Sequence, residues 1–104
     1  MRKRIDRAAS ERYRQEHNRC LGEAVRELRT DKGLSLREVA KRANVSILWL
    51  KRLETNQLRT NYTIRRLDQV AGALEVELFD LFKRAGQMAG PAPWLETKGT
   101  HNGE

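Results

Sequence analysis

The chain has one cysteine, Cys20, and two histidines, His17 and His101. One thiol cannot close an internal disulfide, and so few ligands cannot build a Cys/His zinc site, so no metal is expected. The fold must rest on packing alone, which suits a reducing cytoplasm. Long apolar runs are missing as well. Nothing approaches the roughly 18 consecutive apolar residues of a membrane span. The basic N-terminus is not followed by the apolar segment of a signal peptide. No nucleophile sits in a recognisable motif with a base, no carboxylates are paired, and no glycine-rich loop could cradle a phosphate. Neither an enzyme nor a cofactor is expected.

What is present is charge and a confined apolar core. Lys+Arg number 21 against 14 Asp+Glu, a net charge of +7 in 104 residues. That length fits one small domain. Of 21 Leu, Ile and Val residues, 19 fall within 20–82; Ile5 and Leu95 are the exceptions. A core needs apolar side chains, so 20–84 is expected to be the domain. Residues 1–19 then form a basic N-terminal extension, with seven Lys/Arg against three acids. It has good helix formers but only a thin apolar stripe of Ile5, Ala8, Ala9 and Tyr13. Residues 85–104, with Gly86, Gly90, Pro91, Pro93, Gly99 and Gly103, read as a flexible tail.

The periodicity within the domain is helical throughout. Leu21, Ala24, Val25 and Leu28 share a face of a first helix over about 19–32, with Asn18 as its expected N-cap and Gly33 as its left-handed stop. Ser35 followed by Glu38 reads as a capping box for a second helix over about 36–43. Asn44 tolerates left-handed φ and can turn the chain. Ser46 then caps a third helix over about 47–55. Thr63 precedes a fourth, carrying Ile64, Leu67, Val70, Ala71 and Leu74. A short last helix over about 77–84 offers Leu78, Phe79, Leu81 and Phe82. Five short helices make an all-α domain.

Two features point to nucleic acid. A short helix, a three-residue turn and a second short helix form a helix-turn-helix unit, whose second helix can enter a major groove. Charge is also sorted along the chain. Residues 20–40 balance four basic against four acidic groups, while 41–66 hold seven basic groups against Glu54 alone. Residues 67–82 hold four acids and no base. Charge serving only solubility has no reason to segregate this way.

The stretches Leu21-Gly22-Glu23-Ala24-Val25-Arg26-Glu27-Leu28-Arg29 and Gly33-Leu34-Ser35-Leu36-Arg37-Glu38-Val39-Ala40 open a longer pattern. Val45-Ser46, Leu50, Leu53-Glu54, Leu67, Val70-Ala71, Ala73-Leu74, Val76 and Leu81 complete it. Together they resemble the Cro/repressor-type (XRE-like, lambda-repressor-like) helix-turn-helix domain. The resemblance spans about 20–82. It implies a compact five-helix DNA-binding domain, commonly dimeric and commonly a transcriptional regulator of a bacterium or phage. Several positions depart from the family. Leu36 stands where Gln usually begins the second helix, and Asn44 and Asn56 stand where Gly is usual. The loop before the fourth helix is longer. Ile47-Leu48-Trp49-Leu50 replaces a normally polar start of the third helix.

On a wheel of about 100° per residue, Leu50, Leu53 and Glu54 face one side of the third helix, and Leu48, Lys51, Arg52 and Thr55 the other. Ile47, Leu48, Lys51 and Arg52 are the expected base readers. Arg52 can bond guanine O6 and N7 together, and Ile47 and Leu48 can meet thymine methyls. The opposing reading makes Ile47, Leu48 and Trp49 an apolar patch for a protein partner. Trp49 is expected to be partly buried beside Leu53. Ser35, Arg37, Ser46, Thr55, Arg59, Thr60, Asn61, Arg65 and Arg66 are phosphate candidates, because helix N-termini and basic side chains attract phosphate oxygens; an ordinary solvated loop is the alternative. Arg29 and Glu54 occupy positions that the family uses for an ion pair bridging the first and third helices, unless they are unrelated surface charges. Cys20 reads as a small residue at the start of the first helix rather than a redox sensor.

The expected function is a double-stranded DNA-binding regulator, a repressor acting as a homodimer in the cytoplasm, associated with a bacterial or phage nucleoid. Leu78, Phe79, Phe82, Trp94 and Leu95 are its dimer candidates. The rivals are a protein-interaction module, or the antitoxin or controller component of a two-gene module that also holds a protein partner.

Overall fold

The computed structural model describes residues 6–58 and 61–92. Among them lie five helices: α1 (Arg7–Asp31), α2 (Leu36–Ala43), α3 (Ile47–Glu54), α4 (Ile64–Ala73) and α5 (Leu78–Ala89). No helix among the described residues is long and apolar enough to cross a membrane. The architecture is all-α.

Local chemistry sets most of the boundaries. Ser35 Oγ accepts from the Glu38 N–H at 3.1 Å, and the Glu38 carboxylate accepts from the Ser35 N–H at 2.9 Å. This reciprocal box starts α2. Asn44 ends it at φ 59°, and Asn56 turns the chain after α3 at φ 57°. Ser46 Oγ accepts from the Trp49 N–H at 3.0 Å and starts α3. Thr63 Oγ1 does the same for α4 through the Arg66 N–H at 3.1 Å. Gly33, at φ 69°, closes α1. The Ser35, Ser46 and Thr63 hydroxyls satisfy N–H groups that have no intrahelical partner, while Gly33, Asn44 and Asn56 return their own N–H groups to carbonyls of the last turn.

Both outer boundaries differ from the sequence reading. α1 begins at Arg7, capped by the Asp6 carboxylate, so Asn18 is an interior residue rather than an N-cap. The helix crosses residue 19 without a break. Tyr13 and His17 supply the reason: both are half-buried, and His17 stacks on Phe82 of α5 at 6.2 Å between ring centroids. The thin apolar stripe therefore has a surface to pack on. Cys20 accordingly lies mid-helix and fully buried. At the other end α5 runs through Gly86 to Ala89, with Ala85 and Ala92 buried and Met88 packed on the core. Leu78, Leu81, Phe82, Ala85, Met88 and Ala89 make one helical stripe. The tail expected to begin at 85 is thus helical for its first turn. Ile64 departs too, standing 58% exposed at the start of α4 instead of joining the core.

The core gathers Leu21, Val25, Leu28, Val39, Leu50, Leu53, Leu67, Val70, Leu74 and Leu81. α1 packs on α3 and α5, α2 on α3 and α4, and α4 on α5. α1 and α3 approach so closely at Gly22 that an added Cβ would fall on the Leu53 carbonyl oxygen. A helix-interior glycine costs about 1 kcal/mol relative to alanine, and here the missing side chain is what lets the backbones meet.

Gly22→Ala is therefore expected to destabilise the domain by about 1–3 kcal/mol, as overpacking does. Gly72→Ala in α4, where an added Cβ meets nothing within 4 Å, should be neutral or stabilising. Thermal melts of the two variants check the contrast; equal effects would remove the steric account.

Candidate nucleic-acid interface

α3 is held from below and open above. Leu50 and Leu53 are buried, and Trp49 packs at the edge of the core. Ile47 and Leu48 are 39% and 55% exposed. Lys51 and Thr55 are exposed beside them. The presenting face thus begins apolar and ends cationic.

The angle of α3 is set by a charge pair across to α1. Arg29 donates from Nε to Glu54 at 2.8 Å and from Nη2 at 3.0 Å, while Nη1 donates to the Leu34 carbonyl at 3.0 Å. The two side chains are 14% and 4% exposed. Planar two-point pairing of this kind fixes direction as well as distance. One guanidinium thereby ties the end of α3 to α1 and to the loop that leads into α2.

Arg52 lies less openly than the helical wheel suggests. It is half-buried and lines a recess of about 110 Å³ with Asn18, Asn56, Leu58, Asn61 and Tyr62. Arg66 is also positioned by a neighbour: its guanidinium sits over the Trp49 ring, 5.3 Å from the centroid. This cation–π contact connects the start of α4 to α3. Sequence periodicity missed it, because residues 49 and 66 belong to different helices and no repeat relates them. The same holds for Tyr62, which is half-buried and lines a recess with Ser10, Tyr13, Arg14, His17 and Asn18. A recess thus separates Tyr62, in the loop before α4, from the first half of α1.

The remaining phosphate candidates divide by what their groups already do. Arg37, Asn61 and Arg65 are exposed. Ser46 Oγ accepts within its cap. The Thr55 hydroxyl donates to the Lys51 carbonyl at 2.8 Å, so its proton is engaged inside α3. At the start of α2 the Ser35 N–H holds the Glu38 carboxylate below its usual range. That fixed negative charge competes with a phosphate for the same end of the helix. Arg59 and Thr60 lie outside the described residues.

Other charges are accounted for among themselves. Arg14 pairs with Glu11 at 2.7 Å, and Arg19 with Glu16 at 2.7 Å and Glu23 at 2.9 Å, all along the exposed face of α1. Burial pushes the Cys20 thiol up, and a raised, buried thiol is a poor nucleophile.

A profile described as "Helix-turn-helix domain" matches residues 21–81. The chain belongs to the helix-turn-helix domain family. The matched stretch begins inside α1 and takes in α2, α3 and α4 whole. The HTH-type transcriptional regulator SinR of Bacillus subtilis (strain 168) is 36% identical over 61 residues, which are 59% of this chain and 54% of that protein. SinR of Bacillus licheniformis gives the same figures. The chain spans about half the length of these curated relatives. Among solved structures, the clp gene regulator ClgR from C. glutamicum superposes with a TM-score of 0.64 at 32% identity, covering 71% of this chain and 94% of that one. The SinR protein/SinI protein complex superposes with a TM-score of 0.59 at 28% identity, covering 74% and 73%. α2 and α3, joined by the turn at Asn44, both lie inside the matched stretch.

Removing one partner of a largely buried ion pair leaves the other uncompensated, which costs on the order of 3 kcal/mol. Arg29→Met and Glu54→Leu should each lose about that much, and the double variant less than the sum. Urea denaturation of the three variants measures the coupling; strictly additive losses would mean that the pair contributes nothing as a pair.

Proposed function

We propose that this helix-turn-helix domain is a sequence-specific double-stranded DNA-binding transcriptional regulator that inserts α3 into the major groove and acts as a repressor by occupying its site. The observation that carries the reading is the exposed row of Ile47, Leu48 and Lys51 on a helix whose opposite side is locked to the core and to Arg29. A groove-entering helix needs one free face and one fixed one. Lys51 and Arg52 supply donors to base edges. Arg37, Arg65 and Asn61 flank them as phosphate contacts, and Arg66 joins them from its seat on Trp49. The bacterial relatives named as transcriptional regulators support the reading, which sets the protein on nucleoid DNA in the cytoplasm.

The domain acts as a homodimer in this reading. Phe79 is 68% exposed on α5, next to the half-buried Leu78 and Phe82. Two copies joined there would present two α3 helices about 34 Å apart, one duplex turn, to an inverted repeat. Trp94 and Leu95, which lie outside the described residues, are further contributors. A second reading is favoured by one observation, the apolar exposure of Ile47 and Leu48: that front would then receive a protein, as in an antitoxin or controller component.

Binding to mixed-sequence duplex, followed by fluorescence anisotropy across a salt series, separates the two. A DNA binder loses affinity linearly in log salt, by about 0.9 in slope for each neutralised phosphate. A protein-only module shows no such binding. On the preferred site Arg52→Ala should lower affinity by about 1–3 kcal/mol and relax one base-pair preference. A uniform loss on every sequence would make Arg52 a backbone contact instead. Phe79→Asp should convert dimers to monomers by light scattering, and an unchanged mass would move the interface elsewhere.

A further inference from the structure

We propose that the front of α3 reads the 5-methyl group of pyrimidines, so that this domain senses the presence of that methyl and not thymine as a whole. The inference rests on the DNA-binding reading above. Ile47 and Leu48 are the first two residues of α3, immediately after the Ser46 cap. The leading residues of a groove-entering helix are the ones that reach base edges. Both side chains are exposed, and neither has a donor or an acceptor. The fold does not use them: Leu50 and Leu53 fill the core, and the Trp49 ring lies under Arg66.

The surroundings indicate which surface they fit. Lys51 follows one turn later on the same face and is exposed, and the Arg66 guanidinium lies over the neighbouring Trp49 ring. A partner for this face must be apolar at a point and anionic at its margins. The major groove has that character where thymine lies: its C5-methyl is the apolar group on the base edges, and phosphates line both sides. An apolar protein surface would gain nothing from the surrounding cations.

A consequence follows from what Ile and Leu cannot do. Thymine and cytosine differ in the groove by an O4 acceptor against an N4 donor as well as by the methyl. Aliphatic side chains register only the methyl. At the bases facing Ile47 and Leu48, 5-methylcytosine paired with guanine should therefore replace thymine paired with adenine, while unmethylated cytosine should not. Occupancy of a site containing such a step would respond to cytosine C5 methylation.

The test uses the full chain and the duplex it enriches from a random pool, read by fluorescence anisotropy. Each thymine is replaced singly by deoxyuridine, which removes one methyl and nothing else. At the thymines facing α3 the affinity should fall about fourfold, the equivalent of about 0.8 kcal/mol for one buried methyl. Placing 5-methylcytosine·guanine there should restore binding, and cytosine·guanine should not. Leu48→Ala and Ile47→Ala should bind the thymine and deoxyuridine duplexes alike, and Leu48→Ala, at a position 55% exposed, should keep its melting temperature. If the enriched duplex binds and every deoxyuridine replacement is neutral, the methyl is not read and the inference falls while DNA binding stands. If deoxyuridine weakens binding but 5-methylcytosine fails to restore it, O4 is read as well and the methyl-only claim falls. If no duplex is enriched and no salt-dependent binding is seen, the DNA-binding reading itself fails and the inference with it.

Discussion

α3 has eight residues, too few to stay helical alone in water, where isolated helices under about 12–15 residues are marginal. Its geometry is imposed from below by α1. Gly22 lets the two backbones come within van der Waals reach at Leu53, and Arg29 clamps Glu54 with two hydrogen bonds one residue further along. Steric closeness and ionic direction act on the same turn. The first sets how deep α3 sits, and the second sets which way it points. The exposure of Ile47, Leu48 and Lys51 follows from that fixed angle, and so does any role of the face they form. A substitution at Gly22 would reach the presenting face without touching it.

The positive charge concentrated over residues 41–66 of the chain is partitioned once folded. Some cations are held by carboxylates along α1, where Arg14 and Arg19 serve the helix. One is buried in the α1–α3 clamp. Arg66 rests on an aromatic ring, and Arg52 is half-sunk in a recess of amides. Lys51, Arg37 and Arg65 stand free to the solvent side. A formal count over residues 41–66 overstates the charge available to a ligand at any one place. It understates how well the held groups are oriented, since an arginine stacked on a ring loses less freedom when it makes its next contact.

The domain is also larger than its dense core. α1 extends ahead of the family match and carries His17 onto Phe82, with Tyr13 beside His17. α5 extends past Leu81 through small residues that keep one stripe against the core. The Arg84–Glu27 ion pair at 3.2 Å joins the two helices at the surface. These additions cover apolar area that a sixty-residue core would leave in water, which is the weakness of domains of that size.

What could be read from the chain alone was what short-range chemistry decides. The Ser35–Glu38 box, the Ser46 and Thr63 caps, and the left-handed Asn44, Asn56 and Gly33 involve groups a few residues apart, whose side chains have few other uses. The inward stripe of Leu50 and Leu53 belongs to the same class, because helical periodicity is local. The ends of α1 and α5 were not legible: a thin stripe, or a helix with Gly86 in it, is helical only if another element is there to bury it. For the same reason Ile64 looked like core and is not, and Arg52 looked open and is half-covered. The stacking of Arg66 on Trp49, the recess between Tyr62 and α1 and the need for Gly22 arise between segments distant in sequence. Residue order by itself determined five amphipathic helices, their caps and a cationic stretch over residues 41–66. Which cations stand free, which apolar residues are left for a partner, and at what angle α3 is offered were decided only when those helices packed, because burial and ion pairing depend on distances that no local pattern contains.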